Sequence, residues 1–381
     1  MIKNLLQETR SAFKLGTPIT HKNLCVFPIF NGMDSEPTYL GMKTALSKGF
    51  LEIAEVSEGG SVPTLKAINK SNLPIILLDG EEVEGAKQNR IMNTTILLMP
   101  NKETLIPVSC TESGRWAYGR INKQFQDSSN MMSFGGRSRK SSRVKQSLKE
   151  KSMFDAQQSI VWQDIEALHV SSGSSSFSST RAMKDAYEYR KPDIEGYAKA
   201  FPYQAGQKGL IVFKNGQLAG MDFVSRSDSY SDVHDKLIKS HIIDTLHTEN
   251  VSVNTTGLQM EAIQLLNQLP DMTSEGFDSV GLGMDYRLEN TDSESAVLVY
   301  QDTIIHWSAY QKNSLQSKRR PARPQRATNQ STTNTSESEQ TTTASTTNES
   351  ATDLSSTLGN KKTTNVLGKI KETLRKWSGT E

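Results

Sequence analysis

The sequence predicts an α+β fold: a β-rich N-terminal third of antiparallel hairpins, a helical middle, and mixed hairpins and helices to about residue 311, followed by a disordered tail. Three observations predict it. Short apolar runs bounded by turn residues fill the first third, i, i+3, i+4 apolar spacing takes over in the middle, and apolar residues almost vanish after about residue 315. Helices gathered between strand-rich ends argue for segregated α and β layers rather than a doubly wound parallel sheet.

The strands come first. "NLCVFPIF", "FLEIAEVSEGGSVPTLKAIN" with Gly59 and Gly60 at its turn, "PIILLDGEEVEGA", "NTTILLMP" and "ETLIPVSC" are rich in β-branched and other apolar residues. Helical spacing intervenes only around Met42 to Ser47. In the middle, "SRVKQSLKEK", "FDAQQSIVWQDIEAL" and "TRAMKDAYEYR" carry helical spacing, and "HVSSGSSSFSST" between the last two reads as a flexible loop. Ahead of them, "GGRSRKSSRVK" puts Arg137, Arg139, Lys140, Arg143 and Lys145 in a Gly/Ser-rich stretch. A solvated basic loop is expected there, with an anion-binding flap as the sharper alternative.

Beyond residue 208 come the hairpin "GLIVFKNGQLAGMDF", helices around "VHDKLIKSHIIDTL" and "LQMEAIQLLNQL", then "SVGLGMDYRLE" and "SAVLVYQDTIIHWSAY". Segments 75–87, 210–222 and 297–309 share an apolar run, a polar turn (Asp79-Gly80, Asn215-Gly216, Gln301-Asp302) and a second apolar strand. They read either as copies of one β unit or as the common form of hairpins.

The folded domain is expected to span residues 1–315. Residues 316–364 read as a disordered linker. It is basic at first (Lys318, Arg319, Arg320, Arg323, Arg326), then carries 18 Ser or Thr among residues 328–357, too polar to offset the entropy of ordering. Residues 365–378 resume periodicity as a short basic amphipathic helix, with Val366, Leu367, Ile370, Leu374 and Trp377 on one face. That helix could recruit a protein partner, lie on a membrane surface, or pack on its own domain.

Charge narrows the function. In 381 residues, 44 Lys and Arg nearly cancel 42 Asp and Glu, so the net +2 supplies no global field for nucleic acid or anionic membrane. The two cysteines, Cys25 and Cys110, are too few for a disulfide framework and lack metal-ligand spacing, so a reducing cytoplasm is expected. Neither a signal-peptide core nor eighteen consecutive apolar residues occurs.

Three clusters could carry chemistry. In "LLDGEEVEGAKQNR" the acids Asp79, Glu81, Glu82 and Glu84 fall at a turn, where they are expected to be mostly solvated. Alternatively, Asp79 and Glu81 hold a divalent cation and Glu82 supplies an acid/base group. Lys87, Gln88, Asn89 and Arg90 follow on a strand, joined by Asn93. Amide side chains gain nothing from a strand unless hydrogen-bonded, so a buried polar network or a ligand surface is indicated. In "PVSCTESGRWAYGR", Glu112, Arg115 and Trp116 offer an acid/base group, a phosphate partner and a stacking plane. Glu112 and Arg115 could equally pair to close the turn, and Trp116 could be core. Cys110 lacks the local histidine a nucleophile needs. Late in the chain, Asp285 and Arg287 share a strand face and could pair, and His306 reads as a structural histidine. No zinc signature, phosphate-binding glycine loop or nucleophile elbow appears.

"LLDGEEVEGAKQNRIMNTTILL" followed by "IPVSCTESGRW" resembles the ARPP domain, a prokaryotic family named for its association with ADP-ribosylglycohydrolases and rhodanese/phosphatase-superfamily proteins. The likeness continues through "SIVWQDI", "GLIVFKNGQLAGMDF", "GLGMDYRLE" and "IIHWSAY", covering residues 15–311. Ser113 stands where the family usually has Gln before Gly-Arg-Trp. The resemblance implies a ligand derived from NAD or ADP-ribose, a small phosphorylated nucleotide, and names no cofactor. The polar residues of these blocks match the family's, and the leading expectation assigns ligand contacts to Lys87, Gln88, Asn89, Arg90, Arg115 and Trp116, an acid/base role to Glu82 or Glu112, and a divalent cation to Asp79 and Glu81. The rival expectation is a non-catalytic interaction domain whose polar blocks lock a β-core and whose tail recruits a partner.

Overall fold

The computed structural model describes residues 2–312, apart from 35, 58–60, 115–123, 249–254 and 256. The Gly59-Gly60 turn, Arg115, Trp116 and the expected linker and terminal helix lie outside the described residues.

Why the fold is α+β follows from the two faces of its largest sheet. Nine antiparallel strands run in the spatial order Lys14–Leu15, Leu24–Phe30, Gln207–Lys214, Gln217–Val224, Thr303–Gln311, Ser293–Tyr300, Met284–Glu289 and Thr273–Asp278, with Ile19–His21 also paired to Leu24–Phe30. Alternate residues of its central strands enter different cores. Cys25, Phe27, Ile29, Ile211, Phe213, Met221, Phe223 and Trp307 pack with residues of helices Ile2–Ser11 and Leu258–Gln268. Leu24, Val26, Leu210, Val212 and Val224 pack with residues of the helices Phe134–Lys151, Gln158–Ser172, Met183–Tyr189, Lys191–Ala198 and Ser227–Ile243. Covering both faces makes these strands apolar throughout.

The β-rich first third builds two smaller sheets. One is antiparallel, in the order Phe125–Met131, Glu81–Gly85, Arg90–Met92, Lys102–Cys110, Thr64–Asn69 and Leu51–Glu55. The other joins Ile96–Leu98, Ile75–Leu77 and Leu40–Gly41, the last pair parallel. Helix Met42–Ser47 follows directly, as its spacing predicts.

The hairpin comparison separates into two cases. Asn215 and Gly216, and likewise Gln301 and Asp302, all have positive φ and close true two-residue hairpins. The 75–87 segment is different. The Leu78 carbonyl accepts from the Glu81 N–H across a single turn with Gly80 at φ +83°, but Ile75–Leu77 and Glu81–Gly85 leave it into different sheets. Here the Asp-Gly turn redirects the chain rather than pairing its flanks.

The expected basic loop is helical, and the expected Ser-rich loop is non-helical over residues 173–180 but begins four residues later than expected. "GGRSRKSSRVK" lies inside helix Phe134–Lys151, whose start is capped by Ser133 accepting from the Gly136 N–H. It is a helix rather than a flap, buried at Arg137 and Lys140, which have at most 1 % exposure, and solvated at Arg139 and Arg143. "HVSS" completes helix Gln158–Ser172, where His169 is buried between the Ser174 hydroxyl and the Ala182 carbonyl. No helix of the described residues is long and apolar enough to cross a membrane.

Candidate functional site

Three of the four acids of "LLDGEEVEGAKQNR", Asp79, Glu81 and Glu82, are buried, contrary to a solvated turn, and Glu84 is partly exposed. Asp79 is 7 % exposed, and Glu81 and Glu82 have no exposure. Burying a carboxylate is tolerable only with partners, and each acid finds a different set. Asp79 pairs with the Lys140 ammonium and accepts from the Tyr310 hydroxyl at 3.3 Å. Glu81 accepts from Lys236 at 2.9 Å and from the Leu78 N–H at 2.9 Å, and Lys236 also donates to Asp127 at 2.5 Å. The two acids expected to share a cation therefore point into separate lysine pairs, and the described residues hold no cluster of three or more His, Cys, Asp or Glu suited to a metal.

Glu82 pairs with no lysine among the described residues. Its carboxylate accepts from the Thr111 hydroxyl at 2.6 Å and the Ser128 hydroxyl at 2.9 Å, while burial, with Glu84 adding to it, pushes it up to about 7. Glu84 itself reaches the half-exposed Lys184 at 2.9 Å. A buried carboxyl poised near neutrality is the property an acid/base group needs.

The next residues wrap around the same strand end. Lys87, Gln88 and Asn89 precede strand Arg90–Met92 rather than belonging to it, and all are buried. The Gln88 amide donates to the Glu112 carbonyl at 2.6 Å, the Asn89 carbonyl accepts from the Thr111 N–H at 3.0 Å, and Asn89 Oδ1 accepts from the Gly85 N–H at 3.2 Å. Glu82, Gln88, Asn89, Thr111 and Glu112 thus form one polar cluster, with Lys87 and Glu112 at its least covered side (8 % and 4 % exposed). Arg90 turns inward. Wholly buried, it donates to the Gln88 carbonyl at 3.0 Å and the Asn89 carbonyl at 3.3 Å, and stands 3.8 Å from Glu55. Asn93 meets the Ser109 hydroxyl at 2.8 Å and the Phe154 carbonyl at 3.0 Å.

Cys110 sits beside this cluster with its backbone clasped by the Gln158 amide, at 2.7 and 2.9 Å. Burial pushes its thiol up to about 11, away from nucleophilic use.

A second polar cluster joins the sheets, and it links Asp285, Arg287, His306 and Arg137, which the sequence singles out, to Asp222, which it does not. Arg137 grips Asp222 through two bonds of 3.1 and 2.6 Å. Against the opposing effect of burial, that guanidinium holds the carboxyl well below the usual carboxylate range. His306 lies 3.6 Å from Asp222 through Nε2 and 2.8 Å from the Thr95 hydroxyl through Nδ1. Asp285 and Arg287 pair at 2.6 and 2.9 Å, as their shared strand face predicts, and both meet the Thr94 hydroxyl. The space left among them is about 10 Å³, near the volume one water needs and no room for a ligand. Gly80 is required here: at φ +83°, a Cβ would also stand 2.8 Å from Arg137 Cγ. One signal was available in the sequence, namely Asp222 as a lone acid inside an apolar strand. Lys236 sits among other polar residues and offers none, while Arg137 and Lys140 stand out only as members of a basic run.

A family model described as the ARG and Rhodanese-Phosphatase-superfamily-associated Protein domain matches residues 12–310. Nothing among curated proteins and nothing among solved structures matches.

Proposed function

The chain belongs to the ARG and Rhodanese-Phosphatase-superfamily-associated Protein domain family, and on that premise we propose that it binds and processes a phosphorylated nucleotide of the ADP-ribose type at the Glu82 cluster. The observation that supports this reading is Glu82 itself, a buried carboxyl raised to about 7 and hydrogen-bonded to two hydroxyls. Near neutral pH such a group both gives and takes a proton. Its proton passes to the ligand through the Thr111 hydroxyl, Lys87 supplies a cation for the phosphates, and Gln88, Asn89 and Glu112 offer hydrogen bonds to ribose or base. Arg90 acts as a positioning residue, fixing the Gln88 and Asn89 backbone. No step draws on a metal at Asp79 and Glu81.

Thermal unfolding with ADP-ribose and with NAD tests binding. A ligand at a hundred times its Kd stabilises the folded state by about 2.7 kcal/mol, a rise of several degrees. We expect that rise in the wild type and its loss in Lys87→Ala. Processing is read as release of nicotinamide from NAD or of AMP from ADP-ribose, expected in the wild type and absent in Glu82→Gln. If neither nucleotide moves the transition, the reading fails.

Arg90 favours a second reading, a non-catalytic interaction domain whose polar blocks lock the β-core. Its guanidinium is wholly buried against backbone carbonyls. On that reading nucleotides leave the transition unmoved, and Arg90→Ala destabilises the ligand-free protein by about 1–3 kcal/mol.

A further inference from the structure

Glu82 stands opposite an irregular stretch of strand. Phe125–Met131 pairs with Glu81–Gly85 in regular antiparallel register from Phe125 opposite Gly85 to Asp127 opposite Val83, but the next pair is Met131 with Glu81. Ser128, Ser129 and Asn130 therefore lie opposite Glu82 alone, a β-bulge with two extra residues. Bulges re-aim side chains and recur beside functional sites. Here Ser129 is exposed to solvent, whereas Ser128 is wholly buried with its hydroxyl 2.9 Å from Glu82 Oε2.

The two hydroxyls that meet Glu82 are not equivalent. Ser128 Oγ accepts from the Asn130 N–H at 3.2 Å, inside the bulge, and a hydroxyl has one proton to give. Ser128 gives that proton to Oε2. Thr111 Oγ1, 2.6 Å from Oε1, accepts from no donor among the described residues, so its lone pairs are open. The charged groups acting on the carboxyl are Glu84, on the same strand, and Lys184, on helix Met183–Tyr189, which pair with each other at 2.9 Å. Tyr187 of that helix spends its hydroxyl on the Met131 carbonyl at 2.7 Å. None of the three hydrogen-bonds to Glu82.

We propose that Ser128 is a positioning residue: by donating to Oε2 it keeps that oxygen as the carbonyl of the protonated carboxyl and places the proton of Glu82 on Oε1, facing Thr111. This rests on the reading of Glu82 as the acid/base group of the site. The transfer balances. The Oε1–H bond breaks as Thr111 Oγ1 takes the proton, the proton that Thr111 held passes to the ligand, and Glu82 remains as an anion with Ser128 still donating to Oε2. The same path runs backwards when Glu82 acts as a base. Ser128 acts only through Glu82.

Infrared difference spectroscopy of the full, ligand-free chain tests this, with the Glu82 band identified by its absence in Glu82→Gln. At pH 5 the carboxyl, raised to about 7, is protonated. Ser128→Ala removes the hydrogen bond to the carbonyl oxygen, so the C=O stretch is expected to move to higher frequency. Thr111→Val removes a partner from the hydroxyl side and is expected to move it less. A larger move in Thr111→Val puts the proton on Oε2 and overturns the proposal. The pH midpoint of the band is a second readout. Losing a hydrogen bond to the charged form is expected to raise it by about one pH unit in Ser128→Ala. Ser128→Thr, which keeps the hydroxyl, is expected to restore band and midpoint, and Ser129→Ala to change neither. Ser128→Cys, a weaker donor of similar shape, is expected to shift both in the same directions by less, and serves if the alanine variant does not fold. A band and midpoint unmoved by loss of the Ser128 hydroxyl overturn the proposal. Because no nucleotide is present, the outcome is separable from ligand binding: the expected shifts in a protein that no nucleotide stabilises uphold the placement of the proton and sink the nucleotide reading alone.

Discussion

Glu82 sits in an environment that opposes its charge. Its carboxyl is raised from an ordinary 4.5 to about 7 by burial, so the folded protein holds a proton there that the unfolded chain has released. The sign follows directly. This contribution to stability is fully present below pH 4.5 and is lost as pH rises through 7, a change of about 3 kcal/mol across that window. Glu82→Gln removes the titration while keeping an acceptor for Thr111 and Ser128. We therefore expect the variant to gain on the wild type by about 3 kcal/mol between pH 4.5 and pH 8 in urea unfolding; parallel stabilities at both pH values would contradict the burial argument. Sequence reasoning reached this residue but misjudged its setting. Four acids near an Asp-Gly turn look solvated because Asp and Glu usually are. What lets Asp79 and Glu81 be buried are Lys140 and Lys236, which lie 61 and 155 residues away from them, separations no local pattern encodes. By contrast the Asp285–Arg287 pair, two residues apart on one strand, was legible.

Among the elements, helix Phe134–Lys151 has most to explain. Its buried positions Arg137, Lys140, Ser141, Val144, Ser147 and Leu148 follow helical spacing, yet only two of them are apolar. Periodicity is present in burial and missing from hydropathy, so a reading of apolar spacing finds the helix only at "SRVKQSLKEK". The glycines at its start add to the misreading, although Gly136 leaves no space for a Cβ, which would stand 2.8 Å from Met132. Where apolar residues do mark the faces, the reading succeeds: both Asn215-Gly216 and Gln301-Asp302 hairpins and the helices near 233–246 and 258–269 are where the spacing puts them. The helix acts as a strut with Lys140 against Asp79 and Arg137 against Asp222. Lys140→Met leaves Asp79 buried without its cation and is expected to cost about 3–5 kcal/mol. The double variant Lys140→Met, Asp79→Asn removes both charges and is expected to recover much of that loss. A double variant as unstable as the sum of the two singles would mean that the pair does not couple.

Across the molecule, the same charges decide how it unfolds. Asp79 and Thr94 belong to the β-rich first third, Asp222, Asp285, Arg287 and His306 to the nine-stranded sheet, and Arg137 and Lys140 to the helix between them. Three carboxylates face three cations in this junction, and all six groups are buried. Separating the sheets without unfolding them would break the Lys140–Asp79 pair, at several kcal/mol, and take the Thr94 hydroxyl from Asp285 and Arg287. That makes a half-folded state costlier than its hydrophobic cores alone imply. Residues 2–312 should therefore open as one cooperative unit despite holding separate apolar cores. Native-state hydrogen exchange reads this directly. The slowest amides of Lys102–Cys110, in the six-stranded sheet, and of Gln207–Lys214, in the nine-stranded sheet, are expected to share one opening free energy and one dependence on urea. In Lys140→Met the two sets are expected to part, with the six-stranded sheet opening first because it has lost its tie to the helix. Two different opening energies in the wild type would show that the sheets are held together by apolar contact alone, with the buried charges coupling nothing between them.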